Sequence, residues 1–307
     1  MRSGLMTLLI VLSCAISGCS VLGMNDQPAE KHAFRDCQGF CPEMVSVPAG
    51  EYEMGADRHD KHHVAIKAFA LSRSPITRGE FARFVNETDY DMGDSCNVLL
   101  KNQWWFRDGY GWRNPGFAQD DDEPVVCVSW KAANAYAQWL SARTGQHYYL
   151  PSEAQWEYVA TYNQRDQAGG KELIEGAENQ PARSPCDAHC HTLPVYRSSA
   201  NALGLYDVLG NVYAWTEDCI HSVLENAPND GSAWLGTVEP EPAPPPGGLE
   251  VIRPTGIRQG DCVWRMYRGI SFATPDRFRN PLHRGHAPWD ASYADIGLRV
   301  AREMTDQ

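Results

Sequence analysis

Long apolar runs are scarce in this chain. One stretch, Leu5–Ile16, is apolar through most of its length, but it falls short of the roughly 20 residues that span a bilayer as a helix. No second run of membrane length follows. Positive charge is also in short supply. Lys and Arg total 27 against 39 Asp and Glu, for a formal net charge of −12. Such a surface repels phosphates, which argues against nucleic acid as a partner. No Gly-x-Ser-x-Gly and no Gly-rich phosphate loop occur, so Ser-His-Asp hydrolysis and nucleotide binding have no support. There is no internal repeat.

The apolar stretch has the form of a secretory leader. Arg2 supplies a positive start, and Ile16-Ser17-Gly18-Cys19 places small residues before a cysteine. That pattern resembles a bacterial lipobox, with Cys19 the lipidated first residue after an 18-residue lipoprotein signal. Ser20 in place of Asp after Cys19 resembles the outer-membrane class, so an outer-membrane lipoprotein facing the periplasm is expected. Its only contact with the membrane would be the lipid anchor. Residues 19–42 would be the tether and a cysteine-containing lead-in.

Cysteine usage agrees with export. Cys14 leaves with the leader and Cys19 takes lipid. Cys37, Cys41, Cys96, Cys127, Cys186, Cys190, Cys219 and Cys262 remain. An even set in an oxidising compartment points to four disulfides. Eight cysteines allow 105 connectivities. The pairing adopted joins sequence neighbours: Cys37–Cys41, Cys96–Cys127, Cys186–Cys190 and Cys219–Cys262, each closing a loop.

Regular structure reads as sparse. Met44–Tyr52 reads as a strand running into a turn at Ala49-Gly50, paired with Val64–Leu71. Thr77 and Glu80 have capping-box spacing before Phe81, Phe84 and Val85, which predicts a short helix with an aromatic inner face. Asp91–Val125 reads as a long loop rich in Gly and Trp. Ser129–Thr144 carries Trp130, Ala133, Tyr136, Ala137 and Leu140 at helical spacing, with Gly145 as its stop. Ser152 and Gln155 open a second helix. Residues 239–248, with five prolines, form a stiff insertion. The class expected is α+β.

Several segments in order resemble the formylglycine-generating-enzyme-like, or sulfatase-modifying-factor, family: Met44–Gly55, Ser74–Thr77 with Phe81, Pro124–Leu140, Leu150–Tyr158, Asn201–Trp215, and finally Tyr267–Phe272 with Ile296–Arg302. The resemblance covers roughly residues 43–303 and implies a single domain, a variant of the C-type lectin fold. In the enzyme, two cysteines following a Gly-Gly-Ser-aromatic strand bind copper and oxidise a sulfatase cysteine to formylglycine. Here Arg268–Arg299 contains no cysteine. Thr274 stands near where the first would fall, and a hydroxyl is no substitute for a thiolate on Cu(I). No copper is expected.

The resemblance therefore implies a non-catalytic protein that binds or regulates another envelope protein or peptide, similar to accessory proteins associated with type VI secretion regulation. Its face would be the old substrate groove, lined by Ser271, Phe272, Thr274, Arg277, Arg279 and Trp289. Arg277, Arg279, His283, Arg284 and His286 make this stretch basic; the competing reading is surface arginines paired with nearby acids. The alternative function is a metal-dependent oxidoreductase, since siderophore-maturation relatives are implicated in oxidation without the cysteine pair. True formylglycine generation would need Cys186 and Cys190, or Cys262, as free thiols. Calcium is the cofactor implied, on Asp207 and the carbonyls of Gly210 and Val212, although Ala214 replaces a ligand Glu and weakens the set. Three further clusters are read as non-metal features: Asp120–Glu123 as solvent-facing, Cys186–His191 as a disulfide loop, and His59, His62 and His63 as an exposed loop.

Overall fold

The computed structural model describes residues 33–55, 61–101, 103–162, 191–235, 262–275 and 279–304. The leader, Cys19, the Cys186–Cys190 pair, Arg277 and the proline-rich insertion lie outside the described residues.

Three helices and thirteen short strands alternate along these residues. The strands are β1 (Ala33–Phe34), β2 (Met44–Val47), β3 (Gly50–Met54), β4 (His62–Ile66), β5 (Phe69–Ser72), β6 (Ser95–Leu100) and β7 (Gln103–Asp108). They continue with β8 (Tyr148–Tyr149), β9 (Tyr213–Cys219), β10 (Trp264–Arg268), β11 (Arg284–Pro288), β12 (Ile296–Gly297) and β13 (Ala301–Glu303). The helices are α1 (Arg78–Thr88), α2 (Trp130–Thr144) and α3 (Glu153–Ala160). One sheet has the order β1-β2-β5-β13-β8 and a second β11-β10-β9-β12; β3-β4 and β6-β7 form separate pairs. This is an α+β fold, and it brings the ends of the described chain together: β13 lies between β5 and β8.

The helices start where their side chains cap them. Thr77 Oγ1 accepts from the Glu80 N–H while the Glu80 carboxylate accepts from the Thr77 N–H. Ser152 and Gln155 make the same reciprocal pair at α3. Ser129 accepts from the Ala132 N–H at α2, and Gly145 ends that helix at φ 70°. Each cap contributes about 1 kcal/mol. The buried faces of α1 and α2 meet through Phe81, Phe84, Tyr136 and Trp139, whose rings pack at 5.3–5.8 Å.

The strand pattern departs from expectation in three places. Met44–Tyr52 and Val64–Leu71 do not form one hairpin. Each splits, so that β2 pairs with β5 and β3 with β4. Pro48 ends β2 because it has no N–H to give the ladder. The two halves also bury differently: Met44, Val45 and Val47 are all buried, whereas Tyr52 and Met54 alternate with exposed Glu51 and Glu53. Second, His62 and His63 belong to β4 rather than to a loop, with His63 placed between Glu51 and Glu53. Third, the expected loop Asp91–Val125 contains the β6–β7 hairpin, with Val98 opposite Trp105. Every residue of β7 is exposed, so no alternation marks it as a strand. The first sheet also begins at Ala33, ten residues before the boundary expected at 43, and Phe40 packs on Trp139 at 5.5 Å.

Among the described residues, disulfides join Cys37–Cys41, Cys96–Cys127 and Cys219–Cys262. The last ties the end of β9 to the residues just before β10.

Candidate functional site

Two buried polar clusters flank β10. The first explains why α3 carries two glutamates one turn apart. Arg268, at the end of β10, is fully buried. Its Nη1 donates to Glu153 Oε1 at 3.2 Å and its Nη2 to Glu157 Oε2 at 2.5 Å. Arg284 adds a fork onto Glu153 at 2.7 and 3.0 Å, and Glu157 Oε1 accepts from the Gly55 N–H. Burial pushes the Glu153 carboxyl up, but Arg284 and Arg268 outweigh it and hold it below the usual range. The cluster thus fastens β10 and β11 to α3.

Asp218, on β9, accepts from the Glu153 and Trp234 N–H groups. Burial, reinforced by the Glu153 charge, pushes its carboxyl up to about 7. A folded-state value above the unfolded one near 3.8 has a definite sign. Folding takes up a proton between these values, so this stability is fully present below about pH 4 and is lost as pH rises through 7. Asp218→Asn therefore reduces the loss of unfolding free energy between pH 5.5 and 8, as measured by urea titration. An unchanged difference would assign the proton to another group.

The second cluster occupies the segment that sequence placed in a groove. Ser271 and Thr274 do not line an open face; they are 1% and 2% exposed. Thr274 Oγ1 donates to the Tyr213 hydroxyl at 2.6 Å and accepts from the Ser271 N–H at 2.8 Å. Ser271 Oγ donates to Asp295 Oδ2 at 2.7 Å. The two hydroxyls face inward because each satisfies a buried polar group that would otherwise be stranded. Burial raises Asp295 to about 6, against the lowering effect of the Ser271 hydroxyl, and also raises the Tyr213 phenol. Gly269 precedes this turn at φ 115°, a conformation that favours glycine.

Around this turn the other expected residues scatter. Phe272 is half-buried, edge-on to Phe117 at 5.7 Å. Arg279 Nε donates to the Thr274 carbonyl. Trp289 is tied instead to the start of α2: its carbonyl accepts from the Lys131 N–H, and Lys131 Nζ lies 4.6 Å from its ring. The basic patch is less basic than its composition. Arg284 is spent on Glu153, and burial lowers the His283 pKa, with the Arg268 charge adding to the shift.

The acidic run also departs from expectation. Glu123 is buried and accepts from the Thr192 hydroxyl; Asp121, by contrast, is exposed and pairs with Arg78.

The expected calcium set is thin. Asp207 Oδ1 accepts from Ser198, and Oδ2 is buried without a hydrogen-bond partner among the described residues. The Gly210 carbonyl already accepts from the Val212 N–H. Arg299, buried and pushed down to about 10, is held up by the Asp207 carboxylate and supplies a positive charge there. Calcium takes six to eight oxygens, and a single unpartnered carboxylate oxygen with a buried cation in its neighbourhood is a poor start for such a set.

The Asn201–Trp215 segment acts as a brace. Asn201 Oδ1 accepts from the Leu203 and Leu205 N–H groups, and Asn211 exchanges two hydrogen bonds with the Leu193 backbone. Trp215 Nε1 donates to the Val128 carbonyl. Gly297 passes so close to Val125 that a Cβ would lie 2.5 Å from its carbonyl oxygen.

A model of the sulfatase-modifying factor enzyme 1-like domain matches residues 29–304. The chain belongs to this family. The formylglycine-generating enzyme of Mycobacterium tuberculosis is 34% identical over 225 residues, covering 57% of this chain and 73% of that enzyme. The inactive C-alpha-formylglycine-generating enzyme 2 of Mus musculus is 27% identical over 246 residues, covering 64% and 76%. Among solved structures, PvdO from Pseudomonas aeruginosa superposes with a TM-score of 0.68 at 31% identity, covering 90% of this chain and all of that one. As a family member the chain has the formylglycine-generating-enzyme-like α+β fold.

Proposed function

We propose that this protein is a non-catalytic, lipid-anchored member of the family that binds or regulates another protein of the envelope. One observation carries this reading. Thr274, near where the resemblance puts the first reactive cysteine, is buried and held by Tyr213 and Ser271 in place of an accessible thiolate. The six described cysteines are all in disulfides, which agrees with it. Cys19 would anchor the chain in the outer membrane, facing the periplasm. A type VI secretion assembly is the context that the resemblance suggests.

The test uses mature protein isolated from the periplasmic face. Alkylation and peptide mass spectrometry should find no free thiol. Incubation with copper, oxygen and a sulfatase-type cysteine peptide should yield no formylglycine, disulfide formation by copper alone being scored in a protein-free control. Two free thiols in one neighbourhood, or any formylglycine, would overturn the reading. A photo-crosslinker at Phe272 should capture an envelope protein in cells, and Arg277→Glu with Arg279→Glu should abolish that capture.

A second reading, an oxidoreductase without the thiol pair, draws on the same cluster. Asp295, raised to about 6, is joined through Ser271 and Thr274 to the Tyr213 phenol. Oxygen consumption with a phenolic substrate, lost in Asp295→Asn, would favour it over binding alone.

A further inference from the structure

An open cleft of about 590 Å³ is lined by residues that no sequence motif singled out. Two arginines, Arg78 and Arg113, line it together with Tyr110, Asn114 and Phe117. Arg78 spends Nε and Nη2 on one oxygen of Asp121, at 3.0 and 2.8 Å. Its Nη1 has no partner among the described residues. Arg113 has no acidic or hydrogen-bonding partner among the described residues either, yet it is not a loose surface arginine. Its guanidinium lies 4.1 Å over the ring of Trp112, which is buried and packs edge-on against Phe81 in the core. A guanidinium fixed by stacking on a core tryptophan keeps all its in-plane donors for a ligand and loses little side-chain freedom on binding. The opposite chemistry is close by. Phe117 is half-buried, with Phe272 edge-on at 5.7 Å and His191 at 6.1 Å, an aromatic shelf next to the charged end.

We infer that this cleft binds a carboxylate of a peptide segment, with an apolar or aromatic residue next to the carboxylate laid on the Phe117–Phe272 shelf. The fork of Arg113 matches a carboxylate with two parallel hydrogen bonds, and Nη1 of Arg78, whose charge is balanced by Asp121, adds a further donor. Burying the neighbouring apolar group against Phe117 supplies the rest. The inference rests on the binding reading above and names the chemistry of the partner's contact. Only Arg113 brings an unbalanced charge to the cleft, since Arg78 is paired with Asp121, so a single carboxylate suits it better than a polyanion.

The experiment titrates the full mature protein with N-acetyl-L-phenylalanine, a peptide C-terminus in miniature, following arginine Nε–H and tryptophan indole N–H signals by NMR. Saturable shifts centred on Arg113 and Trp112 are expected. They should weaken by about fivefold or more in Arg113→Gln and with N-acetyl-L-phenylalaninamide, the loss of one charge-assisted pair. Lys131→Gln, outside the cleft, should bind as the wild type does. Equal binding of acid and amide, no saturable shift up to about 50 mM, or an unchanged Arg113→Gln would overturn the inference. Tighter binding of phenyl phosphate would also overturn it, by making the site one for phosphate. A failed titration with zero free thiols leaves the non-catalytic reading standing, whereas free thiols with a successful titration leave only the cleft.

Discussion

Arg268→Met should lower the unfolding free energy by about 3–5 kcal/mol, the usual cost of breaking a buried ion pair from one side. The reason is asymmetric. Glu153 keeps the fork from Arg284, but Glu157 is left buried with only the Gly55 N–H to balance its charge. For a domain of this size that corresponds to a fall of about 10 °C in Tm. Adding Glu157→Gln should return part of the loss, because the amide oxygen still accepts from Gly55 and no charge is stranded. Calorimetry on the three proteins decides it. A single-variant loss below about 1 kcal/mol would mean that water reaches Glu157 and solvates it.

Removing Cys219–Cys262 should be the other large effect. These residues are 43 apart, and loop-closure entropy assigns such a link about 4 kcal/mol. Cys96–Cys127, 31 apart, should be worth slightly less. Cys37–Cys41, four apart, should contribute only about 2 kcal/mol. Paired alanine variants compared by urea unfolding test the order. A Cys37/Cys41 variant that loses the most stability would show that local geometry at the start of the first sheet outweighs chain entropy.

Much of the framework was legible from local chemistry. The capping boxes at Thr77 and Ser152, the cap at Ser129 and the stop at Gly145 all concern atoms within four residues of one another, so spacing suffices to place them. The disulfides among described residues follow the neighbour-to-neighbour pairing, with partners 4 to 43 positions apart. The hairpin β6–β7 escaped because its second strand buries neither face; with no alternation, Trp104, Trp105 and Phe106 read as loop residues. The split of β2 from β3 escaped because alternation alone does not say which partner a strand takes.

The candidate site was legible as composition but not as arrangement. Sequence marked Ser271, Thr274 and Arg279 as groove-lining and Arg284 as part of the basic stretch around them. Which of these face inward depends on Tyr213, Asp295 and Glu153, which lie from 24 to 131 residues away. Arg113 had no signal at all: its role comes from the buried Trp112 beneath it and from Arg78 across the cleft, and neither relation has a sequence period.

By itself, then, the sequence determined where the helices start and which family the chain belongs to, both of which rest on short-range rules or ordered motifs. It also determined that Arg268–Arg299 holds no thiol. The tertiary structure alone decided that Thr274 is sealed rather than displayed, that the glutamates of α3 clamp β10 and β11, and that two arginines share an open cleft. Burial and charge pairing are properties of neighbours in space, and this fold draws those neighbours from positions up to 131 residues apart.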